Sequence, residues 1–189
     1  SAAPQRAWHS TAFLFFVCGH PRGGHPHFMS IEAIAPSMWD DIARVQSEVY
    51  HQIEPESLAT LQAKWVNSPA CCRVWREAGR VQAYLLAHRW HSKEPPKLHQ
   101  PLPRETPGPY LFLHDLAVSP RLAGRGVGAQ LVSDLLQGVR HLPWTCEQIR
   151  LVAIQGSVPF WQKQGFAVEI RLSPGGSYGH DATLMRRVC

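Results

Sequence analysis

Three glycines at alternate positions, Gly124-Arg125-Gly126-Val127-Gly128-Ala129, stand just ahead of Leu131, Val132, Leu135 and Leu136. Apolar residues at three- and four-residue spacing mark one face of a helix, so the glycines fall at its N-terminus. Unsatisfied amides and partial positive charge collect there, and an anion can bind. Glycines at 124, 126 and 128 let the backbone take positive φ and approach a ligand without Cβ obstruction. The amides from Arg125 to Ala129, including Gly126, Val127 and Gly128, can then form a nest for a phosphate-bearing ligand, with the Arg125 guanidinium adding a direct charge contact. Upstream, His114 interrupts the apolar run Tyr110–Val118, and imidazole is the side chain suited to taking a proton near neutral pH. Together these residues suit a site that holds a phosphate-bearing cofactor and moves a proton.

Two common phosphate motifs do not fit. Gly124 to Ala129 matches GxGxxA formally, but the dinucleotide fingerprint needs its glycines directly after a strand, with an acid ending the next strand. Here Ser119 to Ala123 intervene and the next apolar run ends Leu151-Val-Ala-Ile154. No Gly-Lys-Ser or Gly-Lys-Thr exists to make a P-loop.

The elements that must position these groups follow from periodicity. Ser30 to Ala35 suits a first strand. Met38, Ile42, Val45 and Val49 line a helix opened by Ser37 as N-cap, and Pro55 opens a second helix carrying Leu58, Leu61 and Trp65. Cys72–Glu77 and Arg80–Ala87 alternate about Ala78-Gly79 as a hairpin. Six prolines between Trp90 and Tyr110 make that stretch a long surface loop. Tyr110–Val118 is the strand bearing His114, and alternation groups His114 with Phe112 and Leu116 and puts Asp115 on the opposite face. The glycine turn leads into a helix to Val139, then come a strand at Gln148–Ala153, a helix at Ser157–Gln164 ended by Gly165, and an antiparallel pair at Ala167–Arg171 and Ala182–Arg187. This order implies an α/β fold with a mixed, mostly antiparallel central sheet and helices on both faces.

Composition narrows the class. The 189 residues, 44% hydrophobic and 17% charged, suit one domain with a real core. Residues 1 to 28 read as a poorly structured extension and 29 to 189 as the domain. No apolar run approaches the roughly 20 residues of a membrane span. The net charge of +5 includes Arg6 and Arg22 of the extension, leaving +3 for the rest. That mild excess suits an anionic cofactor, and without a basic block it argues against nucleic acid. Five cysteines, odd in number and lacking CxxC, argue against a disulfide framework or zinc site and for reduced thiols in the cytoplasm. Neither HxxxH nor HExxH occurs, so no metal site is expected.

The run Val118-Ser-Pro-x-x-x-Gly-x-Gly-x-Gly with its apolar helix resembles the diphosphate-binding motif of the GNAT acyl-CoA N-acyltransferases. A second signature, Val158-Pro-Phe-Trp-Gln-Lys-Gln-Gly-Phe166, is similar to their "FYxKxGF" helix. The likeness spans about Met29 to Val188. Leu113-His114-Asp115-Leu116-Ala117-Val118 most resembles the arylalkylamine (serotonin-type) N-acetyltransferases. The resemblance implies acetyl-CoA as donor and a small primary amine as acceptor, favouring an arylalkylamine over a polyamine, antibiotic or peptide amine, in a monomer or homodimer. A degenerate domain that only binds acyl-CoA is the competing class.

The resemblance also implies residue roles. Backbone groups of Leu116, Ala117 and Val118 would meet pantetheine, with the Val118 N–H polarising the thioester carbonyl. His114 would be the general base, and Phe160, Trp161 and Lys163 would line the coenzyme channel. Met38, Trp65, Trp90 and Tyr178 would wall the acceptor. Three departures stand out. Ala123 replaces a family Arg or Gln. Phe112 stands where related enzymes carry a second histidine, which removes a two-histidine proton wire. Trp161 replaces the tyrosine that serves as general acid; an indole N–H cannot deliver a proton, and Tyr178 is the substitute in view.

Overall fold

Seven strands and four helices form from the segments that the periodicity marks, and the computed structural model describes residues 28–51 and 54–189. The expected extension, apart from Phe28, lies outside the described residues. In chain order the elements are β1 Met29–Glu32, α1 Trp39–Val49, α2 Leu58–Asn67, β2 Arg73–Glu77, β3 Arg80–Trp90, β4 Tyr110–Val118, α3 Val127–Val139, β5 Gln148–Ala153, α4 Val158–Lys163, β6 Ala167–Arg171 and β7 Thr183–Val188. Two helix starts differ from expectation. Pro36–Met38 wind a 3-10 turn, so Ser37 lies inside it and caps nothing. The second helix begins at Leu58, not Pro55, because the Ser57 side chain accepts the Thr60 N–H at 3.2 Å.

The sheet runs β1-β2-β3-β4-β5-β7-β6. Every neighbouring pair is antiparallel except β4 and β5. A parallel pair needs a long crossover, and α3 supplies it. On one face Leu131, Val132 and Leu135 of α3 pack with Leu111, Leu113, Leu151 and Met185. On the other, Ile42 and Val45 of α1 and Leu61 of α2 cover Val74, Tyr84, Leu86 and Ala117. The mixed sheet with helices on both faces is therefore as the residue pattern implies.

One irregularity sets which face each β4 side chain takes. On β3, Leu86 pairs with Asp115 while the next residue, Ala87, pairs with Leu113. His114 is thus the extra residue of a β-bulge, and the bulge resets the alternation. Leu113 and Leu116 pack into the α3 face, while Asp115 turns with Tyr84 into the other. The simple two-residue period fails here: His114 and Asp115 share a face, and Leu116 leaves it.

The cysteine expectation also changes. Cys146, before β5, and Cys189, after β7, are joined as a disulfide, whereas Cys71 and Cys72 are free and buried. A sequence separation of 43 gives no local signal for such a pair. Antiparallel pairing of β5 with β7 brings the two ends together. Among the described residues no helix is long and apolar enough to cross a membrane.

Candidate active site

β4 and β5 stay side by side only from Tyr110 to Phe112. Beyond that β4 remains with β3 as far as Val118, and β5 remains with β7 as far as Ala153. The strands part, and a cavity of about 250 Å³ opens between Leu113–Leu116 on one wall and Leu151, Val152 and Ile154 on the other. The splayed edge of β4 carries directed polar groups. The Ser119 N–H bonds to Gln82 O on the β3 side at 2.8 Å, so alternation turns the Val118 and Leu116 groups to the opposite edge, toward the gap. Ala117 points its own to β3 and its side chain into the core.

Beyond β4 comes the glycine turn, where Gly128 lies beside Phe160, a residue of the cavity lining. Gly124 and Gly126 have φ of +75° and +73°, and Gly126 is the N-cap of α3. A Cβ at either would meet nothing within 4 Å, so the turn is open above its backbone. The Arg125 amide already bonds Leu122 O. Among the described residues the amides of Gly126, Val127, Gly128 and Ala129 have no main-chain acceptor outside regular structure, leaving them for an anion. Gly128 departs from expectation: it lies within the helix, and its value is size. A Cβ there would stand 3.4 Å from the Phe160 ring and 3.6 Å from Val118 Cγ2. Arg125 is also placed differently, its guanidinium held 3.0 and 3.1 Å from the Glu77 carboxylate.

His114 faces a partner that sequence reading missed. Its Nε2 lies 2.6 Å from Glu56 Oε2, and Glu56 is the residue just before the Ser57 cap of α2. Both side chains are buried, as is Lys64, whose Nζ donates to both Glu56 oxygens at 2.6 and 2.7 Å. The His99 N–H of the proline-rich loop adds a fourth bond at 2.7 Å. Burial alone raises the Glu56 pKa, but the bond and charge of His114, with the charge of Lys64, hold it at about 2. Asp115 accepts from the Tyr50 and Tyr84 hydroxyls, and burial pushes its pKa up despite those bonds. A sequence signal for Glu56 did exist: Lys64 lies on the buried stripe of α2 with Thr60 and Leu61, and a buried lysine needs an acid.

A second imidazole does stand beside His114, supplied by the neighbouring strand. His88 on β3 pairs with Phe112, and its ring centroid is 5.8 Å from that of His114. Burial drops its pKa to about 3, and its Nδ1 lies 3.0 Å from Arg89 O. It is a neutral neighbour and a poor proton carrier.

The remaining residues divide. Phe160, Trp161 and Tyr178 line the cavity, with Trp161 edge-on to Phe160 and Phe166. Tyr178 is buried, and its hydroxyl donates to Pro96 O at 2.5 Å; burial raises its pKa. Lys163 is exposed and does not reach the cavity wall. Nor do the expected acceptor walls Met38, Trp65 and Trp90: Trp65 packs on Trp39, and Trp90 lines a separate groove in the proline-rich loop. The apolar lining of the cavity comes instead from residues such as Val49, Leu98 and Leu151.

Comparison with known proteins agrees with this architecture. The model of the Acetyltransferase (GNAT) family matches residues 38–166. No curated protein sequence matches the chain. Among solved structures, the loading GNAT-like domain of CurA from Lyngbya majuscula superposes with a TM-score of 0.71 at 12% identity, over 85% of this chain and 97% of that one. Ard1 from Thermoplasma volcanium gives 0.64 at 18%, over 85% and 97%. Arabidopsis thaliana Naa50, solved with the bisubstrate analogue CoA-Ac-MVNAL, gives 0.65 at 11%, over 85% and 99%. Identities this low speak for the fold alone, but the family model spans most of the chain, and the chain belongs to the GNAT family of acetyltransferases.

Proposed function

We propose that this chain transfers an acetyl group from acetyl-CoA to a primary amine by direct attack in a ternary complex, with an arylalkylamine as the favoured acceptor. The observation that carries the reading is the cavity where β4 parts from β5, lined by His114, Leu116 and Phe160. Phe160 in turn lies beside Gly128 at the start of α3, where the helix-start amides have no main-chain acceptor among the described residues.

The glycine turn supplies donors for a diphosphate, with Phe160 packed on Gly128 beside it. In this reading the Val118 N–H, on the β4 edge away from β3, polarises the thioester carbonyl. An alkylammonium with a pKa of about 10.4 must lose a proton before it attacks, and His114 accepts it. The amine nitrogen then bonds to the carbonyl carbon, the carbon–sulfur bond breaks, and the second proton shed by the nitrogen passes to the departing thiolate. A thiol pKa of about 8.5 makes that departure tolerable without a strong acid. We therefore assign Tyr178 to anchoring the loop at Pro96 rather than to acid catalysis. Direct attack is favoured because the free thiols among the described residues are poor nucleophiles: burial pushes Cys71 up to about 11 and Cys72 to about 12. The apolar walls from Val49, Leu98 and Leu151 suit the hydrocarbon part of an arylalkylamine.

The test is thiol release from acetyl-CoA with a panel of arylalkylamines, polyamines and peptides, each product checked by mass. Acetylated arylalkylamine is the expected product. Acetyl-CoA binding with no thiol release for any amine would reduce the chain to an acyl-CoA-binding domain.

A further inference from the structure

The four hydrogen bonds around Glu56 carry a conclusion about His114 at the level of single atoms. Oε1 accepts from Lys64 Nζ at 2.6 Å and from the His99 N–H at 2.7 Å. Oε2 accepts from Lys64 Nζ at 2.7 Å and faces His114 Nε2 at 2.6 Å. A carboxylate offers about four lone-pair positions. Three are taken by groups that can only donate, and a proton on Oε1 would meet two donors. Glu56 therefore stands as the acceptor toward His114, and Nε2 carries the hydrogen. A neutral imidazole has one such hydrogen, so the free lone pair is on Nδ1. That atom is buried and has no hydrogen-bond partner among the described residues, while His114 itself lines the cavity.

We infer that Glu56 is the positioning residue that fixes the tautomer of His114, which makes Nδ1 the atom that takes the proton of the acceptor amine. The proton's origin rests on the acetyltransferase reading; the tautomer rests on geometry alone. In the step itself an N–H bond of the ammonium breaks and an Nδ1–H bond forms. The imidazolium so made keeps its Nε2–H on Glu56, as in other carboxylate–imidazole pairs. Glu56 is itself pinned from three elements. Lys64 holds it from α2 and His99 from the loop. Gln46 of α1, turned with its amide oxygen toward Glu56 N, lies 3.2 and 3.3 Å from the Glu56 main chain. The other ionisable groups about the ring are His88 on β3 and Asp115 on β4, the latter tied to Tyr50 and Tyr84.

Heteronuclear NMR of the imidazole nitrogens tests this directly, with the His114 signals identified by their loss in His114→Asn. The wild-type protein above neutral pH is expected to show the Nε2–H tautomer; an Nδ1–H tautomer there overturns the inference. In Glu56→Gln the single amide oxygen is claimed by Lys64 and the His99 N–H, so the amide NH₂ must face His114. The tautomer is then expected to flip, and kcat to fall about 100-fold or more with KM for acetyl-CoA unchanged. An unflipped tautomer with unchanged kcat overturns the positioning role. The wild-type spectrum decides the tautomer even if that variant does not fold. An Nε2–H tautomer in a protein that releases no thiol with any amine would remove the acetyl-transfer reading and leave the nitrogen assignment standing.

Discussion

Lys64 is 1% exposed in its side chain and closes on a carboxylate that is 6% exposed. Burial lowers its pKa while the Glu56 charge raises it. Taking one partner from such a pair strands the other charge, at a cost of about 3–5 kcal/mol. Lys64→Met should therefore lower the unfolding free energy from denaturant titration by an amount in that range, and a change under about 1 kcal/mol would mean the pair contributes little. Gly126 makes a separate demand. Its φ of +73° costs an alanine about 1–2 kcal/mol, although space for the methyl exists. Gly126→Ala is expected to lose about that much stability in equilibrium unfolding. By titration it should also weaken acetyl-CoA binding; unchanged affinity would remove the diphosphate assignment. At this scale the sequence was informative where chemistry is local. A glycine turn announces its own conformation. Lys64, eight residues on, hinted at a buried acid, but the role of Glu56 comes from His114, 58 residues away.

Among the elements, β4 was legible in extent and illegible in phase. Tyr110–Val118 is the strand as its apolar run predicts. The bulge at His114 arises from how β3 pairs with it, which no single strand records. The proline-rich segment reads as a loop from composition, but its attachments are long-range: Pro96 to Tyr178, Thr106 and Pro103 to Asn67, and His99 to Glu56. Tyr178→Phe keeps the ring against the cavity and deletes the bond to Pro96. The expected result is a loss of about 1 kcal/mol, with kcat within a few-fold of wild type. A fall of 100-fold with unchanged stability would return Tyr178 to the role of proton donor.

Across the whole molecule, two buried groups contribute to acid sensitivity in separate pH windows. His88 has its pKa lowered to about 3 from an unfolded value of about 6.5. Between these values the unfolded chain binds one more proton, so stability falls as pH drops below about 6.5, by about 1.4 kcal/mol per unit. Glu56, depressed to about 2, adds a second loss as pH falls below its unfolded value of about 4.3. Urea midpoints measured downward from neutral pH should decline in the first window for wild type and stay flatter in His88→Phe. A parallel decline in both would place the acid sensitivity elsewhere. Fold class was readable because two apolar faces and one crossover helix leave few ways to cover a sheet. The Cys146–Cys189 link was not, since it needs the β5–β7 register first.

The parting of β4 from β5 has an observable signature in solvent isotope exchange. Along the second half of β4, every other amide is locked to β3 while its neighbours face the cleft. Ala117 should exchange slowly and Leu116 and Val118 quickly, a sawtooth within one strand. Saturating donor thioester should erase the fast teeth and leave the slow ones untouched, giving a footprint of occupancy that needs no turnover.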